Sequence, residues 1–489
     1  MVKREVLTSP PAETLPVSES KVCSFSVHAH WLSEGDLRLD ASFHADEAVR
    51  ARHLLEESGF QLKNLGNPDV SQEIYNLYRF KRIYTSNPDI GYPYLSASET
   101  FMFRLQSNRW IARDKAPSPA ERYFAKAGWI LVSCSGTLGR CVLVTKRMEP
   151  YFLTHDLIRI IPSLPAGFIY AFLSTWLGQA LMLKEEYGGT ISHLEPSHLE
   201  KIPVPLLPDD KQQAIHKKIT KAYYLRDEAN ELLDRADELL HAELGLQRFD
   251  DSQVSYFGGV TKPKSFLLKA SELDGRFDAS FHFPIAKTAI EQLRTGKYLL
   301  KQLGDTDLTE HILIPPRFRR IYVSPEHGIP FLQGSHLPMM KPYDLKYLSR
   351  RAHPNLSPWI INKGWLLITC SGTIGRIALA PTAMDGWAAS QHILRIIANL
   401  LNTHPGYLAA FLSTPYGQHQ LTSKIYGGVV DELTENDAAE VWVPNAPLEV
   451  QQRIGTLVEQ AFEKKEEANQ IEKEVIDGLE KLITAGKFP

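Results

Sequence analysis

Cysteine is scarce: Cys23, Cys134, Cys141 and Cys370 are the only four in 489 residues, and no two stand in a Cys-x-x-Cys spacing. This excludes a disulfide framework and a cysteine zinc site, and it fits a reducing cytoplasm. No membrane span is expected either. The apolar stretch 167–183 is broken by Ser174, Thr175, Gly178 and Gln179 and reads as a core helix. Residues 1–22 lack the apolar segment of a secretory signal, and their Pro, Ser and Glu content reads as a disordered leader. The formal net charge of -3 shows no overall basic excess, so any contact with nucleic acid must come from local patches. Enzyme signatures are missing too. There is no Gly-x-x-x-x-Gly-Lys phosphate loop, no Gly-x-Gly-x-x-Gly after a strand, and no Asn-Pro-Pro-aromatic segment, so the expectation is a non-catalytic protein.

What is present is present twice. Arg38-Leu-Asp-Ala-Ser-Phe-His44 returns as Arg276-Phe-Asp-Ala-Ser-Phe-His282, and Arg79-Phe-Lys-Arg-Ile-Tyr84 as Arg317-Phe-Arg-Arg-Ile-Tyr322, both 238 positions later. The block Gly128–Arg140, with Ser135-Gly-Thr137-Leu-Gly-Arg140, matches Gly364–Arg376, with Ser371-Gly-Thr373-Ile-Gly-Arg376, at 236. Ala171–Thr175 matches Ala410–Thr414, and Tyr187-Gly-Gly matches Tyr426-Gly-Gly, at 239. Chance does not hold such a register.

Each repeat ends in a long amphipathic segment. Ile215, Ile219, Ala222, Ala229, Ala236 and Leu240 form an apolar stripe, matched 239 positions later by Ile454, Val458, Ala461, Ala468, Val475 and Leu479. Pro203, Pro205 and Pro208 precede the first segment, with Asp209 or Asp210 as the expected N-cap, and Pro444 and Pro447 precede the second. A helix with one narrow seam is unstable alone, so the two are expected to bury their seams together as a rod of roughly 50 Å. The basic start of the first helix, at Lys211, Lys217, Lys218 and Lys221, favours antiparallel pairing with the acidic end of the second, at Glu472, Glu474, Asp477 and Glu480.

The expected fold class is α+β: two similar mixed α/β domains joined by two long helices in an antiparallel intramolecular coiled coil with pseudo-twofold symmetry. Strands are expected at 129–132, 141–144 and 156–161, with helical spacing at Phe168, Phe172, Trp176 and Ala180. The boundaries read as leader 1–22, first domain 23–208, central helix 209–246, linker and second domain 247–446, and C-terminal helix 447–489.

Arg79, Lys81, Arg82 and Tyr84, repeated as Arg317, Arg319, Arg320 and Tyr322, are the densest basic clusters and the first candidates for DNA contact. The alternative is a solvated strand edge whose arginines pair with acids. Ser135, Thr137 and Arg140, with Ser371, Thr373 and Arg376, sit in glycine turns that could cradle a phosphate or simply close a hairpin. Tyr187 and Tyr426 precede Gly-Gly pairs, suited either to stacking against DNA or to a helix cap and turn. His44 and His282 each follow an aspartate by four residues, too few ligands for a metal, and Cys134 and Cys370 read as small core residues.

In order and motif the chain resembles the specificity subunit of type I restriction-modification systems. The likeness rests on the two Ser-Gly-Thr-x-Gly-Arg turns, the two Ala-Phe-Leu-Ser-Thr helices, and Ile202-Pro-Val-Pro205 with Gln212-Gln213, repeated as Val441-Trp-Val-Pro444 with Gln451-Gln452. The resemblance implies two target recognition domains, each reading half of a split double-stranded DNA sequence, with the paired helices fixing the unread spacer between them. It further implies two adenine methyltransferase subunits as partners, and restriction subunits in the full complex. S-adenosylmethionine, ATP and Mg would be used by those partners, with no cofactor on this chain. Halves this alike imply half-sites that are alike. Two other readings stay open: a duplicated DNA-binding adaptor of another defence system, and a protein-binding scaffold that does not touch DNA.

Overall fold

Apolar runs interrupted by glycine turns fold back as hairpins, and each repeat does so in the same order. In the computed structural model, the residues described are 47–85, 87–107, 109–184, 193–249, 268–273, 275–279, 281–426 and 431–485. The leader, Cys23, the Arg38–His44 motif, Tyr187 with its two glycines, Gly427, Gly428 and most of the linker lie outside them.

In the first head, strands Ser71–Tyr75, Leu157–Pro162, Ile130–Ser133 and Cys141–Leu143 lie side by side in that order, all antiparallel. The second head repeats the order with Thr309–Leu313, Ile393–Ala398, Leu366–Thr369 and Ile377–Leu379. A second sheet orders Tyr84–Thr85, Trp110–Ala112, Gly91–Leu95 and Phe152–Leu153, matched by Tyr322–Val323, Lys346–Ser349, Gly328–Leu332 and Ala388–Ala389. The three expected strands are therefore present, each within a residue or so of its expected place.

The helical stretch is broken where one helix was expected. Ala166–Ser174 and Trp176–Lys184 meet at Thr175 with a bend of 73°. The Thr175 hydroxyl accepts the Gly178 N–H at 3.1 Å and starts the second helix afresh. A Cβ on Gly178 would lie 2.4 Å from the Phe172 carbonyl, so only glycine fits the elbow. Gly417, against Leu412, repeats this arrangement in the second head. Among the described residues no single helix is long and apolar enough to cross a membrane, and this bent pair is largely buried in the first head.

The rod consists of helices Asp209–Leu244 and Leu448–Thr484. The first does not start with the expected aspartate cap. The N-caps are Pro208 and Pro447, while Gln212 and Gln451 turn back to donate to the carbonyls of Leu207 and Ala446, each five residues earlier. Asp209 and Asp210 lie inside the first turn, where their charge complements the helix dipole. Ion pairs Lys221–Glu467, Glu228–Lys464 and Glu243–Arg453 run in opposite directions along the two helices, so the packing is antiparallel. Ala222, Ala229, Ala236, Ala461 and Ala468 are buried at the seam and let the backbones approach closely.

The rod belongs to both cores. Ile219 and Tyr223 of its first helix join Val475, Leu479 and Ile483 of its second in the first head's core. Ala236, Leu240 and Leu244 join Val450, Ile454 and Val458 in the other. At ~1.5–3 kcal/mol per buried aliphatic side chain, each head is fastened to the rod by a substantial apolar contact.

Candidate nucleic-acid interface

Arg79, Phe80, Lys81, Arg82 and His155 line an open cleft of about 490 Å³ in the first head. Phe80 anchors it, edge-on to Tyr123 at 5.1 Å and Phe152 at 5.7 Å, which fixes the backbone so that its neighbours project outward. Arg82 donates to Asp156 at 2.9 Å and to the Thr154 hydroxyl at 3.2 Å. Arg79 and Lys81 are exposed and form no ion pair among the described residues. Tyr84, 43% exposed, carries the Arg109 guanidinium 5.5 Å from its ring centre.

The second head carries the equivalent residues with different fittings. Phe318 is anchored on Trp359 at 4.5 Å, and Arg320 donates to Gln391 at 2.7 Å. Arg319 forms no ion pair among the described residues, Arg317 reaches Glu432 at 3.7 Å, and Tyr322 lies under Lys346. Equivalent backbone bonds, Cys134 N–H to the Asp156 carbonyl and Cys370 N–H to the His392 carbonyl, relate the two loops. They make Asp156 the counterpart of His392, and His155 that of Gln391.

The sequence reading missed what lies behind. Arg159 and Arg395 are fully buried and have no carboxylate partner among the described residues. Arg159 donates to the carbonyls of Leu157, Thr154 and Tyr123, and Arg395 to those of Ser390, Ile393, Ala389 and Trp359. Burial lowers both to about 10, so each keeps its charge at neutral pH. Each guanidinium ties the loop that precedes its strand, and Arg159 thereby leaves a positive charge behind the loop that brings His155 to the cleft. Burial, then Arg82, Arg79 and Arg159, outweigh Asp156 and lower His155, while burial with Arg320 and Arg317 lowers His392. A signal existed: one arginine in the middle of Leu157–Ile161 and of Ile393–Ile397, apolar strands 236 apart.

The glycine turns are tied from within. Ser133 donates to the Thr137 carbonyl and accepts from Arg140 N–H, and Thr369 does the same with Thr373 and Arg376. Gly136, Gly139, Gly372 and Gly375 take φ of 72° to 85°, the left-handed region. Thr137 and Thr373 are exposed at the tips, with Ser135 and Ser371 half-buried beside them. In the second head Glu432 gathers several candidates: it bridges Ser371 and Tyr426 through the backbone and holds Arg317. The Arg140 and Arg376 pair is split, because Arg376 is exposed while Arg140 stacks 4.3 Å over Tyr343 of the other head. His282 turns to the Arg276 carbonyl, and among the described residues no three His, Cys, Asp or Glu side chains converge as metal ligands would.

A family model described as type I restriction modification DNA specificity domain matches residues 73–234 and 335–477, one stretch in each half. No curated protein matches in sequence. Among solved structures, the S subunit of a type I restriction-modification system from M. genitalium is 13% identical, with a TM-score of 0.37, covering 87% of this chain and 95% of that one. The HsdS subunit from Thermoanaerobacter tengcongensis is 13% identical, with a TM-score of 0.27 and coverage of 87% and 97%. A chain from a study of complex assembly and conformational transition in the type I R-M system is 14% identical, with a TM-score of 0.27 and coverage of 87% and 98%.

Proposed function

Because the chain belongs to the type I restriction modification DNA specificity family, whose members recognise DNA without catalysis of their own, we propose that it reads a bipartite duplex target. Each head reads one half, and the rod carries the modification subunits, and through them the restriction subunits. The observation that supports this reading is the cleft lined by Arg79, Lys81 and Arg82 in the first head, with Arg317, Arg319 and Arg320 at the matching positions of the second, on an antiparallel rod. Antiparallel helices relate the two basic clusters by an approximate twofold, and duplex DNA, with antiparallel strands, has matching symmetry. Exposed arginines beside aromatic rings suit phosphate and base edges, and the buried Arg159 behind the first cleft favours an anion in front of it.

In this reading S-adenosylmethionine, ATP and Mg belong to the partner subunits. Two measurements test it. Mapping methylated adenine genome-wide, with and without this gene, should reveal a split motif that vanishes on deletion. The purified complex should shift a duplex carrying that motif, less strongly as salt rises. Equal binding to every duplex would sink the reading.

A further inference from the structure

Tyr78 stands in the chain directly before the residues of the first cleft, and its side chain is 92% exposed, more than any other large apolar side chain among the described residues. Its backbone is nevertheless held. Leu77 and Phe80, on either side of Tyr78 and Arg79, pack against the buried cluster of Tyr94, Tyr123 and Phe152. Leu77 N–H donates to the Asn76 side-chain carbonyl at 2.7 Å. The Tyr123 hydroxyl donates to the Tyr78 carbonyl at 3.0 Å, and the Tyr123 ring is itself stacked on Phe152 at 4.8 Å. A main chain fastened at both flanks thus lifts Tyr78 and Arg79 out of the head.

The second head fastens the same point. Pro316, 238 positions after Tyr78, is exposed, and its carbonyl accepts the indole N–H of Trp359 at 2.9 Å. Trp359 lies 236 positions after Tyr123, so the tether is kept while the group that it displays changes from an aromatic ring to a proline. The fold therefore has no need of the ring. Left in water, Tyr78 forgoes the ~150–250 Å² that a packed aromatic side chain buries. With two side-chain torsions it costs little entropy to order against a ligand.

On the reading of the heads as DNA readers, we propose that Tyr78 stacks on a base of the first head's half-site and opens the base step that it enters. Every base offers a π face to such a ring, whatever its hydrogen-bonding edge. Arg79, next in the chain, with Lys81 and Arg82 in the cleft, supplies cations for the flanking phosphates. Opening a duplex step costs stacking energy, and pyrimidine–purine steps open most easily. Tyr78 is thus a specificity-determining residue that selects a step by its deformability, which arginine pairing to base edges does not sense. Pro316 offers no π face, so the second half-site keeps its stack at the matching step.

The test is a cycle of substitutions in protein and DNA. The complex with its modification subunits is titrated with duplexes carrying the mapped target, in which an abasic residue is moved position by position through each half-site. Tyr78→Ala should weaken binding to the intact target by about tenfold, and Tyr78→Phe by less than about twofold, because the ring and not the hydroxyl makes the contact. At one position of the first half-site the abasic residue should bring wild type and Tyr78→Ala within about twofold of each other, and elsewhere the tenfold gap should persist. A mismatch at that position should tighten binding by wild type and leave Tyr78→Ala unchanged. Pro316→Ala should show no such position in the second half-site.

A Tyr78→Ala complex that binds the intact target as wild type does would overturn the proposal. So would a deficit that no abasic position removes, or an equal deficit in Tyr78→Phe. A wild-type complex with no preference for a split target would instead overturn the underlying reading, and this proposal with it.

Discussion

The two heads share a frame and differ in its fittings. Both place an aromatic anchor, Phe80 or Phe318, beneath exposed basic residues, and both tie the loop before a strand with a buried arginine, Arg159 or Arg395. Arg82, however, is held by the carboxylate of Asp156, whereas Arg320 is held by the neutral amide of Gln391. The ties between head and rod differ as well: Lys341 enters a buried site with Glu472 and Arg226, while Arg104 meets the half-exposed Asp234. Duplication fixed what the fold needs and left free what the heads present. Halves that are alike in frame therefore need not read the same bases.

The largest test sets one tie against the other. Glu472→Gln leaves Arg226 and Lys341 without their counter-charge and should lower stability by about 3–5 kcal/mol, whereas Asp234→Asn should cost under about 1 kcal/mol. Urea unfolding of both variants measures the gap, and equal losses would mean that the two ties are alike. Glu472 also sets a pH window: burial alone would raise it, but Lys341 and Arg226 hold it down. Its contribution is complete above the ordinary glutamate value of 4.5 and is lost as pH falls towards about 2, and Glu472→Gln should lack that acid dependence.

Next, Arg159→Met and Arg395→Met each strand several buried carbonyls, at a cost of ~1–3 kcal/mol per unsatisfied group. Similar losses in the two variants would support the shared frame, and a marked difference would break it. Arg82→Ala and Arg320→Ala should each weaken target binding by about 1–3 kcal/mol and relax preference in opposite half-sites. Loss of the same half-site by both would show that the heads do not read separately. The smallest effect is expected on exposed charges: Arg79→Ala or Arg317→Ala should reduce the salt slope of binding by about 1 while leaving sequence preference intact.

Much of the fold was legible because it is local and written twice. The Gly128–Arg140 block marks its own hairpin through apolar strands and left-handed glycines, and its copy repeats the signal. The helix break at Thr175 was harder to see, because Phe168, Phe172, Trp176 and Ala180 keep helical spacing across the elbow, and only the contact of Gly178 with Phe172 reveals it. Arg140 shows the limit for sites. Its motif equals that of Arg376, but its surroundings include Tyr343 from the other head, which no local pattern contains.

Composition, repeat register and the four-three spacing of apolar residues therefore determined a doubled α+β chain on a helical rod, because each signal acts between residues a few positions apart or compares one copy with the other. Which residues pair across the axis was decided only in three dimensions. Met102 and Met339 meet 237 positions apart with no periodicity to announce them, and Lys341 finds Glu472 only once both helices and both heads are in place. Contacts of that kind depend on how whole bodies dock, and docking depends on surfaces that do not exist until the chain has folded.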